Sequence, residues 1–178
     1  MRRIFLLFFT VLSFAAATAQ QTAAVPVDSE SHQIMYREVI ILDGSKDILY
    51  DRCAEWVRSY YVNPVSVTKI QDKINGKIEG TGRFKIYYFL KDDTRVDGGL
   101  IMYDLKLEMK DNKLRYTLNN FQLKAASRFP LEKWLNKNDP AYNSKWDAYL
   151  YQVDTTMRSL IVKLKDGMKP KVIKKDEW

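Results

Sequence analysis

The stretch LIMYDLKLEMKDNKLRYTL, from Leu100 to Leu118, settles the class of fold. Ile101, Tyr103, Leu105, Leu107 and Met109 alternate with Met102, Asp104, Lys106 and Glu108. That is the period of two that places successive side chains on opposite faces of a strand. Asp111-Asn112 reverses the chain, and Leu114, Tyr116 and Leu118 carry the alternation back. The phase slips at Asn119-Asn120, and Phe121 and Leu123 resume it one residue late, as a β-bulge requires. A hairpin with one apolar and one polar face needs cover on the apolar side.

Upstream, Lys77 to Leu90 reads as a long strand with Phe84, Ile86, Tyr88 and Leu90 on one face. Its Gly80 and Gly82 predict a bulge or sharp coil early in that strand. Asn75-Gly76 predicts a two-residue hairpin turn, and Val65 to Gln71 the short strand before it. Asp92 to Gly99 is the connection to the next strand, with Asp92 and Asp93 as turn formers. The first strand runs from about Gln33 to Leu42. Ile34, Tyr36, Ile40 and Leu42 lie on one face and Met35, Val39 and Ile41 on the other, so part of it is expected to be covered on both sides.

Two helices supply the cover. Ser45 is an N-cap for a helix to about Tyr61, with Ile48, Leu49, Cys53, Trp56, Val57 and Tyr60 on one stripe. Asn63-Pro64 ends it, because proline disfavours the helical conformation in the residue before it. After a connection with a short helix over Leu131 to Leu135, the last helix opens near Ser144. Trp146, Tyr149, Leu150, Val153, Met157, Leu160, Ile161 and Leu164 follow its spacing, and Gly167 and Pro170 close it. Strand, helix, four strands, helix: the order predicts a two-layer α+β domain, a twisted antiparallel sheet covered by two helices.

The ends of the chain speak to location. Arg2-Arg3, the apolar run Ile4 to Phe14 and Ala17-Thr18-Ala19 form the three parts of a secretory signal peptide over residues 1–19. The run is too short for a stop-transfer helix, which needs roughly 20 apolar residues. No cysteine follows the cleavage site to carry a lipid. The expectation is a periplasmic or secreted protein with no transmembrane helix after cleavage. It would have a flexible leader over 20–32, the domain over 33–167 and a basic tail over 168–178. Cleavage lowers the formal charge from +7 to about +5, mild attraction to anionic surfaces rather than a nucleic-acid footprint. At 46% apolar and 13% aromatic residues the chain has the means to build a core, which excludes a disordered protein.

The mature chain resembles a family of exported bacterial proteins classed as a domain of unknown function, with a TATA-binding-protein-like fold. The resemblance is carried by ATAQ at Ala17 to Gln20, SKDILYDRCAEWV from Ser45, KIEGTGRFKIYYF from Lys77 and DLKLEMKDNKLRYTLNNF from Asp104. It spans about Gln33 to Gly167 and implies fold and export. The family has no established activity, so it implies no catalytic residue.

Little in the chain points to catalysis. His32 is the only histidine and falls in the leader, while Cys53 is the only cysteine and falls on a helix stripe as a small buried hydrophobe. A triad base, a zinc-ligand spacing and a phosphate loop are all missing from the pattern, so no cofactor or metal is expected. Attention shifts to the polar sheet face. With Phe84, Ile86 and Tyr88 inward, Arg83, Lys85, Tyr87 and Phe89 point outward, joined by Met102, Lys106, Arg115 and Thr117. Rings among cations suit binding, and Arg83, Lys85, Tyr87, Phe89, Lys106 and Arg115 are the expected ligand or partner residues.

The expectation is a non-enzymatic binding module of the cell envelope. It would hold a small apolar or amphipathic ligand, or an envelope partner protein; the alternatives are a docking or oligomerisation domain and an enzyme of unrecognised class. Export, Asp104 and Glu108 weigh against nucleic acid. Ligand carriage would require a cavity lined by Tyr88, Tyr103, Tyr116 and Trp56. The basic tail adds weak contact with anionic surfaces.

Overall fold

The structure, a computed structural model, describes residues 25–125 and 127–170, with Arg128 described by its main chain alone. The expected signal peptide and Lys171, Lys174 and Lys175 of the expected tail lie outside the described residues. Six strands form one antiparallel sheet: β1 (Tyr36–Ile41), β2 (Thr68–Asp72), β3 (Lys77–Phe89), β4 (Arg95–Lys110), β5 (Lys113–Lys124) and β6 (Arg128–Pro130). The order is β1-β5-β4-β3-β2, and β6 continues the β1 edge by pairing with the far half of β5. Helices α1 (Lys46–Tyr60) and α3 (Lys145–Gly167) cover one face, with a four-residue α2 (Pro64–Val67) between α1 and β2 and a 3-10 turn over Leu131–Leu135.

The alternation of β4 and β5 sets the core. Ile101, Tyr103, Leu105, Leu107 and Met109 meet Leu114, Tyr116, Leu118 and Phe121, all buried. Val153, Met157, Leu160 and Leu164 of α3 close over them with no exposed surface. Each such aliphatic side chain contributes about 1.5 to 3 kcal/mol through loss of water contact. The bulge falls where the phase slip demands it. Met102 pairs with Gln122 but Asp104 with Asn119, leaving the extra residue on β5, where Asn120 adopts φ 54°. Ser45 caps α1 by accepting from the Ile48 amide at 3.4 Å, and Asp92 turns the β3–β4 connection by accepting from the Thr94 amide at 3.1 Å.

Several boundaries differ from the sequence expectation, each for a local reason. Val65 to Val67 is helical rather than extended, because Asn63 caps the turn by accepting from the Ser66 amide at 3.1 Å and Pro64 suits the first helical position. The hairpin at Asn75-Gly76 is a four-residue loop rather than a two-residue turn, closed by a Gly76 amide to Lys73 carbonyl bond at 3.2 Å. Strand β4 begins five residues before Leu100, since a bulge between Ile86 and Tyr87 of the pairing absorbs Gly98 and hides the alternation. The early irregularity falls at Gly80, where the pairing slips between Thr68 and Ile70, with the extra residue on β2 rather than on β3. Gly80 and Gly82 also allow close approach: a Cβ on Gly80 would strike the Val67 carbonyl, and one on Gly82 the Tyr103 ring.

The outer side of β1 is open, with Val39 and Ile41 exposed, so the expected cover on both sides is absent there. On α1, Tyr50 is buried and Ile48 is half exposed, which rotates the stripe by one residue. The fold also starts earlier and ends later than 33–167. Val25 is buried, Val27 bridges to Ile34, and Asp28 ties the turn by accepting from the Ser31 amide at 2.9 Å. Over Val25 to His32 the expected flexible leader is therefore a small hairpin. At the other end Met168, assigned to the tail from sequence, is fully buried with its sulfur 3.4 Å from that of Cys53.

Candidate functional site

The outer sheet face carries the expected residues, but its charges answer one another. Lys85 pairs with Asp97 at 2.8 Å across the β3–β4 ladder. Arg115 grips Glu108 through two bonds of 2.7 Å, directly opposite on β4. The bonds from Arg115 hold the Glu108 carboxyl below the usual range, and the Lys85 bond does the same for Asp97. Tyr87 lies beneath the Arg95 guanidinium at 4.0 Å, and Thr117, expected on the open face, is buried. Lys106 is exposed, as is Phe89 at the β3 tip. On this face Lys85 and Arg115 are each held by a carboxylate, while Lys106 has no described carboxylate partner.

The expected cavity under α3 does not form. Tyr116 donates to Glu38 at 2.8 Å on the β1 side, where Lys165 also reaches Glu38. Tyr88 sits at the opposite end, with Lys145 3.8 Å above its ring. Of the four aromatic residues only Trp56 and Tyr103 meet.

They meet in a groove of about 800 Å³ between the C-terminal end of α1, α2, β3 and α3. Helix α1 delivers its last aromatics as a cluster: Trp56 stacks on Tyr60 at 5.0 Å, and Tyr61 stands edge-on to Tyr60 at 4.9 Å. The open space over Gly82 admits Tyr103, whose hydroxyl meets that of Tyr61 at 2.9 Å. Burial pushes both phenols well above their ordinary titration, so both are neutral. One O–H is spent in that bond and the other is left over.

The polar inventory of the groove is one-sided. Its charged side chains are Arg83 and Lys163, both cations, and neither pairs with a described carboxylate. Ser59 and Ser66 donate to main-chain carbonyls of Trp56 and Asn63, at 3.0 and 2.9 Å. The buried Trp56 Nε1 has no acceptor. Cations and aromatic rings thus share one wall. A ligand with an acceptor-rich anionic part and a flat apolar part complements it.

Of the six residues expected to bind on the outer face, Arg83 alone reaches this groove; of the four expected cavity residues, Trp56 and Tyr103 do. Tyr60, Tyr61 and Lys163 were missed, because they come from two helices with no spacing that joins them in the chain. The Tyr60-Tyr61 pair just before a proline-terminated helix end was the available signal. Among the described residues no group of three or more His, Cys, Asp or Glu is placed to hold a metal, and no helix is long and apolar enough to cross a membrane.

A twisted antiparallel sheet with its helices on one face places the chain among α+β proteins of the TBP-like fold. Residues 35–124 match the model of the domain of unknown function DUF4468 with TBP-like fold, and the chain belongs to that family. Among solved structures it is similar to a TBP-like protein from Parabacteroides distasonis, at 14% identity over 81% of this chain and 96% of that one, TM-score 0.61. It is also similar to a DUF4468 family protein from Bacteroides ovatus, at 15% identity over 84% of this chain and 92% of that one, TM-score 0.64. Among curated proteins none matches the chain. At these identities the structural likeness speaks to fold alone.

Proposed function

We propose that this domain is an exported, non-enzymatic binding module of the cell envelope, and that its site is the aromatic groove beside β3 rather than the outer sheet face. The carrying observation is the groove's unmatched cations: Arg83 and Lys163 have no described carboxylate partner. Both cations are exposed on the groove wall, within reach of an anionic group that enters it. The layout of residues 1–19 supports export. The favoured ligand is an amphipathic anion, its apolar part against Tyr60 and Tyr61 and its charge between Arg83 and Lys163.

Titration with naphthalene sulfonate, followed by tryptophan emission, tests this reading. The wild-type chain should show saturable binding. The double variant Arg83→Glu, Lys163→Glu should weaken it about tenfold or more, since two attractive contacts become repulsive. Lys106→Glu on the outer face should change it little. Equal binding by the double variant, or loss through Lys106→Glu alone, would return the site to the outer face.

A further inference from the structure

Strand β3 is thirteen residues long, and its neighbour β2 has only five. Pairing with β2 covers Lys77 to Gly80, so from Thr81 onward β3 has β4 on one side and no strand on the other. One position on that free edge is already filled. The side-chain amide of Gln152, from α3, accepts from the Tyr87 amide at 3.0 Å and donates to the Tyr87 carbonyl at 2.7 Å. Those are the two bonds a neighbouring strand would make. By the strand's alternation, Arg83 and Lys85 turn their main-chain groups to the same side as Tyr87. No described side chain takes up the amides of Arg83 and Lys85.

The groove opens on this edge. Arg83 belongs to the outer face of β3 and Phe84 to the inner, yet both line it, as happens only where the space runs along the strand's side. An unpaired edge, a carboxamide showing how it can be satisfied, and an aromatic, cationic groove therefore coincide.

Resting on the groove reading above, we infer that the ligand is an extended peptide segment of a partner protein, which adds as a strand to the free edge of β3 at Arg83 to Lys85. Its main chain would continue the pattern that Gln152 begins. Alternate side chains would fall to either side: a large apolar one among Tyr60, Tyr61 and Phe84, an acidic one toward Arg83 and Lys163. Main-chain bonds would supply affinity and the groove the choice of sequence. Charge complementarity selects the partner: both charged groups on the groove wall are cationic, so an acidic-aromatic segment fits and a basic one is repelled.

The test uses the full chain and a short fluorescein-labelled peptide alternating glutamate with valine and phenylalanine, read by fluorescence anisotropy. Saturable binding is expected, with the same peptide N-methylated at alternate residues weakened about tenfold or more, because its edge-facing donors are gone. Lys85→Pro removes one outward amide at a position where an edge tolerates proline. It should weaken the peptide by a similar factor while Lys85→Ala does not. If Lys85→Pro fails to fold, the N-methylated peptide on the unaltered chain still decides.

Equal binding of the N-methylated peptide would overturn strand addition and leave the groove reading standing. So would binding of naphthalene sulfonate with none of the peptide, whereas binding of neither would remove both. Dimerisation of the chain, seen by sedimentation and abolished by Lys85→Pro, would give the edge to a second copy and overturn the partner assignment.

Discussion

The outer sheet face and the groove beside β3 hold similar residue types, cations among aromatic rings, but they differ in how those cations are spent. On the face, Arg115 stands opposite Glu108 at 2.7 Å, and Lys85 reaches Asp97 of the adjacent strand diagonally, past the bulge, at 2.8 Å. In the groove, Arg83 and Lys163 come from different layers and neither has a described carboxylate partner, Lys163 lying 5.6 Å from the Tyr60 centroid. Regular pairing matches charges along a ladder because cross-strand neighbours are fixed by register. A junction of four elements has no such register, and charges there stay available. Unmatched charge, rather than the number of cations, separates a surface that is only soluble from one that can choose a ligand.

Four measurements bear on that contrast, beginning with the largest effect. Leu160→Asp would bury an unpaired charge against the covered side of the sheet, where Leu160 has no exposed surface. It should cost about 4 kcal/mol or more and abolish cooperative melting in circular dichroism. A wild-type melt would mean that the two faces are assigned the wrong way round.

Next comes Gly82→Ala, which places a methyl group against the Tyr103 ring. Overpacking there should cost about 1 to 3 kcal/mol in urea unfolding and reduce naphthalene sulfonate binding, because Tyr103 must leave Tyr61. Unchanged binding would detach the Tyr61–Tyr103 pair from the site.

A smaller effect follows from the ladder charges. The Glu108 carboxyl is held below its usual value near 4.5 by Arg115, so its pairing stabilises the fold above that value and is lost as pH falls through the lowered one. Arg115→Ala should therefore be less stable than wild type at neutral pH, by under about 1 kcal/mol for so exposed a pair. The difference should vanish in acid. Binding of naphthalene sulfonate in the groove, with no lining carboxylate and a sulfonate that stays charged, should stay flat over the same range. The smallest change is expected for Phe89→Ala at the exposed β3 tip, within about 0.5 kcal/mol of wild type by thermal melt and with ligand binding intact.

The covered face was legible because a strand repeats every two residues and a helix every 3.6. Ile101 to Met109 and Leu150 to Leu164 could hardly be read otherwise. What escaped was local competition: Val65 and Val67 alternate like a strand, yet Asn63 and Pro64 cap a helical turn there, and Gly98 hides the start of β4 inside a bulge. The groove escaped for another reason. Its residues are brought together by chain crossings that leave no common period. One hint lies in the pattern itself: a hairpin whose second strand far outruns its first must leave part of the longer strand with a free edge.

The sulfur pair at the end of α3 carries a consequence for reactivity. Cys53 is fully buried, with Met168 sulfur 3.4 Å away, and burial pushes its thiol up to about 12. At neutral pH the thiolate, the form that attacks disulfides, is therefore scarce. An oxidising surrounding would find almost no nucleophile to capture. Mixed disulfides with other thiols, including a second copy of this chain, are suppressed by the packing of one helix end rather than by the absence of cysteine.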